Sequence, residues 1–450
     1  MKKLLSIGAL CTTLGLAMTQ AAHASQARLV SLGLNKLDNE GSYYIDDARN
    51  IFLNAANAVD YSNRLMFEWG DAGSIPGNQN QSGGEASLDR NESPKAQGGF
   101  LVDIGNFVFG AYLGNESNTA SFLRIAGTSN AAAYHNFNAG PPAVPNPLML
   151  PTADNQLDLF FAGRGQGDLR WGVNLVYLDN EKEEIKQEDK AGAIRFGART
   201  DRWQAHANIS FMNKAKNTVE TTPFSGSGLP AEDVTQEFDG KLGVHLGGSY
   251  MLNENDSIYG YVKTFKWDQK DSYTNYALWA GDPQIAPRVG KEGTSKGEFT
   301  QYNLGWGHNH KMDNGGTVFL NLYLRKTEVE LNLAEKVEVD VLTIPLTIAY
   351  EQRANSWLTL RGSITQNLYG KKDNKNFASA NPIANSLVSA RYGSEGKGSM
   401  NNSTRVHGGA SLHFGNLTVD GLLGLDSDGD NTGELSFNEV FSRVGVSYTF

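Results

Sequence analysis

Tight and long connections take turns along this chain, and that rhythm restricts the fold more than any single motif. Two-residue alternation marks sixteen candidate strands near 61–70, 98–105, 106–114, 156–164, 168–178, 190–199, 202–212, 238–252, 256–267, 298–310, 316–325, 337–350, 355–367, 403–414, 416–425 and 439–450. Short turns rich in Gly, Asn and Asp, such as Gly105-Asn106, Thr200-Asp201 and Gly415-Asn416, join every other pair. The alternate connections, roughly 71–97, 115–155, 179–189, 213–237, 268–297, 326–336, 368–402 and 426–438, are polar and often long. A soluble sandwich has no reason to put every long loop on alternate connections. A barrel crossing a membrane does, with tight turns at one water boundary and longer loops at the other. The fold expected is therefore all-β: a transmembrane antiparallel β-barrel of about 16 strands, with 14 to 18 compatible with the same rhythm. Near Val337–Ile348 the apolar residues move from odd to even positions, which suggests a bulge.

The two ends of the chain agree with that fold. In the final segment Val440, Val444, Val446, Tyr448 and Phe450 share one face, and Phe441, Arg443, Gly445, Ser447 and Thr449 share the other. This segment resembles the C-terminal strand of bacterial outer-membrane β-barrels, and the resemblance implies that Tyr448 and Phe450 carry a signal read by the outer-membrane assembly machinery. At the other end Lys2 and Lys3, the apolar run Leu4–Met18 and Ala22-His23-Ala24 make a secretory signal peptide over 1–24, with cleavage after Ala27 nearly as good. The single cysteine, Cys11, lies inside it, so the mature chain has no thiol for disulfides, metal or catalysis. Losing Lys2 and Lys3 moves the formal charge from −10 to −12, and so acidic a chain is a poor nucleic-acid ligand. No later apolar run approaches the ~18 residues of a transmembrane helix. Barrels evade that test because their apolar residues alternate with polar ones.

If the apolar face meets lipid, its complement meets the lumen. Arg64, Glu68, Arg170, Arg195, Lys241, Arg325, Arg361, Arg405 and Arg443 fall on that complement and are the expected pore-lining residues. Charges this numerous would cost several kcal/mol each in a dry core, whereas a wide lumen keeps them hydrated. The expected function is thus a porin-like channel for passive diffusion of small hydrophilic solutes and ions. In general porins a long loop often folds inward opposite a basic wall; here that loop is 115–155, the longest. Trp171, Trp203, Tyr250, Trp306, Tyr350 and Tyr448 gather near the tight-turn end, as an interfacial girdle would. The expected surroundings are outer-membrane lipids and lipopolysaccharide, with a homotrimer as the usual porin assembly.

Residues 428–440 read D-G-D-N-T-G-E-L-S-F-N-E-V and resemble an EF-hand calcium loop, with Asp428, Asp430, Thr432, the Glu434 carbonyl and Glu439 as ligands. Strands rather than helices flank it, so the alternative is a hydrophilic loop tip and no cofactor. His308 and His310 share a strand face and suit headgroup contact better than metal ligation. No motif assembles a Ser, a His and an orienting partner, so no enzyme activity is expected.

Residues 25–60 precede the barrel at 61–450, as a periplasmic or lumenal segment. Ala48–Val59 suits a short helix capped by Asp46 or Asp47. With Asp46-Asp47 leading to Asn54-Ala55-Ala56, this stretch resembles the start of FadL-type transporters, where an Asp-rich stretch precedes Asn-Pro-Ala; the proline is absent here. That resemblance implies an N-terminal plug and a hydrophobic substrate. A structural or surface-recognition barrel is the third alternative.

Overall fold

The computed structural model describes residues 25–35, 40–70, 96–115, 156–182, 187–221, 232–273, 291–332, 336–377, 394–400, 404–426 and 440–450. Among them, one antiparallel sheet runs through β1 (Arg64–Gly70), β2 (Gln97–Ile104), β3 (Phe107–Leu113), β4 (Leu157–Arg164), β5 (Arg170–Lys182), β6 (Gln187–Arg199) and β7 (Trp203–Thr221). It continues through β8 (Glu232–Gly240), β9 (Gly243–Met251), β10 (Asp256–Tyr273), β11 (Lys291–Lys311), β12 (Gly316–Asn332) and β13 (Lys336–Arg353). The last members are β14 (Leu358–Asn374), β15 (Gly396–Ser399), β16 (Thr404–Phe414), β17 (Leu417–Asp426) and β18 (Val440–Thr449).

Eighteen segments make sixteen staves. Both β8 and β9 lie between β7 and β10, as two halves of one stave broken at Lys241-Leu242. Likewise β15 and β16 both pair with β14. β1 pairs with β2 on one edge and β18 on the other, which closes the cylinder. Each of the sixteen expected windows holds a strand. Turns of two to five residues close the tight end, and in the two-residue ones Gly105 (φ 67°) and Gly415 (φ 63°) adopt the left-handed conformation that glycine tolerates best.

Side chains alternate as a transmembrane barrel requires. Leu159, Phe161, Leu175, Tyr177, Leu304 and Leu423 are exposed outward, while Asp158, Asn174 and Asn303 on the same strands are buried inward. Trp203, Tyr250, Tyr350 and Tyr448 are outward and exposed near the tight turns, as the girdle expectation had them.

Above this belt the pattern inverts, which lengthens strands beyond the sequence windows. β7, β10, β11, β12 and β14 run on through residues assigned to long connections. In that upper wall the outer face carries Lys266–Glu298 (3.0 Å), Lys336–Glu330 (2.8 Å) and Lys375–Glu338 (2.8 Å) ion pairs. The inner face carries Phe238, Phe265, Trp267, Phe299, Val329, Leu331, Val337, Val339 and Val341, packed into one cluster with Phe377. Water therefore surrounds the upper wall, and apolar side chains line it.

This inversion explains the parity change near Val337–Ile348. Val337, Val339, Val341, Thr347 and Ala349 all point inward, so β13 keeps its facing and only its surroundings change. A bulge does exist, but its extra residue is in the partner strand. Ile344 pairs with Tyr369 and Pro345 with Asn367, leaving Leu368 over in β14. Pro345 has no N–H for the ladder, a disturbance that such a site absorbs.

Candidate functional site

The lumen is filled, and the filling comes from the chain's own N-terminal segment. It begins with α1 (Gln26–Ser31), whose cap Ser25 accepts from Arg28 N at 3.1 Å. Two 3-10 helices follow, Ala48–Phe52 and Ala55–Val59, where one helix over Ala48–Val59 was expected. Asp47 caps the first, accepting from Arg49 N at 2.8 Å, and Asn54 interrupts the run by capping the second. Nearly every described residue of the segment is buried.

Apolar contacts seat this plug on three sides. Ile51, Phe52, Ala58 and Val59 pack against Met66, Leu101, Val108, Tyr112 and Phe160 of β1–β4. Leu29, Leu32, Tyr44 and Ile45 pack against Tyr259, Phe319, Tyr323 and Ala349 of β10–β13. Ala27 and Val30 meet Leu422 of β17. Glycines let the backbones close up: a Cβ at Gly172 would strike the Ala55 carbonyl, and one at Gly197 would lie 2.8 Å from Ala55 N. Asn54, the residue that begins the Asn54-Ala55-Ala56 tripeptide, reaches Ala198 O and Ala205 O at 3.3 Å each.

The plug also changes the role of the wall charges. Glu68 is 1% exposed and lies 3.5 Å from both Arg49 of the plug and Arg443 of β18; it also accepts from Gln26 N. Arg361 binds Asp420 at 2.8 Å, and Glu351 binds Arg28 of the plug at 2.9 Å. Arg195 is buried against Asp158 (2.7 Å) and Asn174. Arg64 is buried with its guanidinium 5.0 Å from the Tyr61 ring. Arg170 stands at the tight-turn rim and, with Arg199, grips Asp60 at 2.8 and 3.1 Å. Arg325 is half-buried over Tyr323, and Arg405 is half-buried in β16.

These placements correct the expectation of an open, hydrated lumen. Alternation located the inward charges, but Glu68, Arg170 and Arg443 meet the plug, and Arg195 and Arg361 pair with acids of the wall. Such pairs hold geometry, because removing one partner leaves the other charged and dry. Lys241 is a second correction. The break between β8 and β9 turns it to the outer face, where it pairs with Asp239 (2.6 Å) and Asp268 (3.1 Å). The proposed calcium ligands Asp428, Asp430, Thr432, Glu434 and Glu439 lie outside the described residues, as do the signal segment 1–24 and, past Asn115, the inward loop candidate over 115–155. Tyr448 pairs with Leu65 and Leu417 across the closing strands, and Phe450 N donates to Asn63 O at 3.0 Å. His308 stacks on His310 and contacts Asp256 at 2.8 Å on the outer face.

A polar knot lies between plug and wall at mid-height. Glu40 of the plug accepts from Lys263 at 3.0 Å and lies 3.1 Å from His245. Burial opposes the Glu40 charge, but Lys263 and His245 together hold its carboxyl well below the usual range. Beside it opens a small cleft of ≈ 50 Å³ lined by Tyr43, Tyr44, Tyr259, Tyr261, Tyr323, Asn303 and Arg325. Above that cleft begins the apolar cluster of the upper wall. There Trp267 lies against Gly297, and Phe265 stacks on Phe299 with centroids 5.8 Å apart. Asp47 is legible in the sequence as a helix cap, whereas Glu40 and Arg49 carry no sequence signal, because their partners His245, Lys263 and Glu68 lie elsewhere in the chain.

No family model matches the sequence, and no curated protein matches it. Among solved structures the chain is similar to a FadL homologue of Pseudomonas aeruginosa (TM-score 0.43, 11% identity, covering 93% of this chain and 98% of that one). It is also similar to the toluene transporter TbuX of Ralstonia pickettii (TM-score 0.42, 12% identity, 95% and 97%). A third is the toluene transporter TodX of Pseudomonas putida (TM-score 0.39, 12% identity, 96% and 100%). The barrel of sixteen staves and its plugged lumen stand on this chain's own pairing and contacts.

Proposed function

We infer that the protein is an outer-membrane transporter of small hydrophobic compounds, shut at rest by its own N-terminal segment. The observation that carries this reading is the combination of a packed plug in the lower lumen with an apolar inner wall above it. A general diffusion channel needs a wetted path throughout. Along Trp267, Phe299 and Val339 a hydrophilic solute finds no polar group to bind, so that wall favours no such cargo. An apolar solute gains there, by about 25 cal/mol for each Å² it removes from water. The charged outer face of the same wall keeps that vestibule standing in water, where such solutes arrive.

Two measurements test the reading. In planar bilayers the whole protein should be silent, and a variant lacking residues 25–60 should give stable conductance. Bromobenzene should quench Trp267, read as the fluorescence difference between wild type and Trp267→Phe. Large ohmic steps from the wild type would overturn the proposal in favour of an open channel. Silence without any quenching of Trp267 would leave a structural barrel.

A further inference from the structure

One ring of the plug completes a stack that otherwise belongs to the wall. Tyr43 lies parallel to Tyr259, with centroids 5.2 Å and planes 10° apart, and to Tyr261 at 6.0 Å and 18°. It continues to the His206 imidazole at 5.7 Å and 27°, and its hydroxyl meets His206 Nε2 at 2.6 Å. His206 stands on β7 and the two tyrosines on β10, with β9 between them. Where β9 crosses, it carries Gly247, paired with His206 on one side and Tyr261 on the other. A Cβ at Gly247 would strike the Tyr43 hydroxyl and come 2.7 Å from His206 Nε2. The wall alone therefore forms a slot, with a glycine floor, two tyrosine faces and an imidazole nitrogen at its end.

Tyr43 is also the half-open member of its neighbourhood. Ser42 and Tyr44 on either side are buried, whereas Tyr43 is half-buried where all three border the cleft shared with Tyr323 and Asn303. Stacking by itself accepts any flat ring. The bond to His206 adds a demand for a hydroxyl at the ring edge, because a ring without one leaves a buried nitrogen unpaired.

We propose that this slot is a binding site for phenols, with the Tyr43 side chain as its resident stand-in. An incoming phenol takes the place of that ring between Tyr259 and Tyr261, and its hydroxyl takes the bond to His206 Nε2. The displaced residue is only three positions from Glu40, which ties the plug to Lys263 and His245. Occupancy of the slot thus loosens the plug at its polar knot. The proposal rests on the reading of the barrel as a transporter of hydrophobic compounds and narrows their class to hydroxylated single rings.

The test is chemical complementation of Tyr43→Ala in the full-length protein. Millimolar p-cresol should raise the melting temperature of that variant most and that of Tyr43→Phe less, because there a resident ring must first be displaced. Toluene should bind Tyr43→Ala about tenfold more weakly, the worth of one hydrogen bond. Adding His206→Phe should erase that preference. Equal affinity for toluene and p-cresol in Tyr43→Ala would overturn hydroxyl recognition, and no stabilisation by either would overturn the slot. Should Tyr43→Ala not fold, photolysis of wild type with 4-azidophenol decides: adducts at Tyr259–Tyr261 support the site, and adducts only elsewhere overturn it. Bromobenzene quenching of Trp267 is independent of these outcomes, so its survival would confine a failure to the phenol site.

Discussion

Asp47 joins the cap of a short helix to the electrostatics of the whole plug. It accepts from Arg49 N and pairs with Arg28 at 3.0 Å, yet burial pushes its carboxyl up to about 6, with Asp420 adding to the rise. An unseated Asp47 returns toward the ordinary value of about 3.9. The seated state therefore binds the extra proton. Its contribution to seating is fully present below about pH 4 and is lost as pH rises through 6. Melting temperature in detergent should fall between pH 5 and pH 8, and Asp47→Asn should flatten that slope. An unchanged slope in the variant would remove Asp47 from the account. At this scale the sequence was half legible. Alternation placed Arg195, Arg361 and Arg443 on the inner face, but their surroundings came from contacts such as Arg28–Glu351 that join opposite ends of the chain. The facing of a side chain follows a local period; its partner does not.

Strands were the most legible elements, because lipid outside and polar groups inside repeat every second residue. Each of the sixteen windows holds a strand, and the strands outrun them at the upper ends, where the outer face turns from Leu and Ile to Lys and Glu. There the template of an apolar outer face fails although the strand continues. Lys241 was misplaced for a related reason: a break in pairing re-aims it, and nothing in its neighbours announces the break. The plug elements were harder to read, since Asn54 splits one expected helix into two by capping the second. Their seating depends on glycines of the wall. Gly197→Val would put methyl groups where Asn54 and Ala55 now lie, so the plug should fail to dock. Conductance in bilayers should then resemble that of the variant lacking residues 25–60, with the barrel's strand content by circular dichroism preserved. A silent Gly197→Val barrel would show that this contact is dispensable.

For the molecule as a whole, the charges at the junction of β1 and β18 are decisive. Glu68 belongs to β1, Arg443 to β18, and Arg49 and Gln26 to the plug; all meet in one buried group. Glu68→Ala would leave two guanidinium groups dry and lacking this carboxylate, a loss of about 3–5 kcal/mol. The urea midpoint of the detergent-solubilised barrel should drop accordingly, and Glu68→Gln, which keeps a hydrogen-bond acceptor, should recover part of it. An unchanged midpoint would mean that the ladder of β1 and β18 suffices.

The same group sets an order of events. The stopper is synthesised ahead of every stave, yet its clasp includes a residue of the final one. That clasp stays open until the hoop is complete, so closing the ring and locking the cork are a single act.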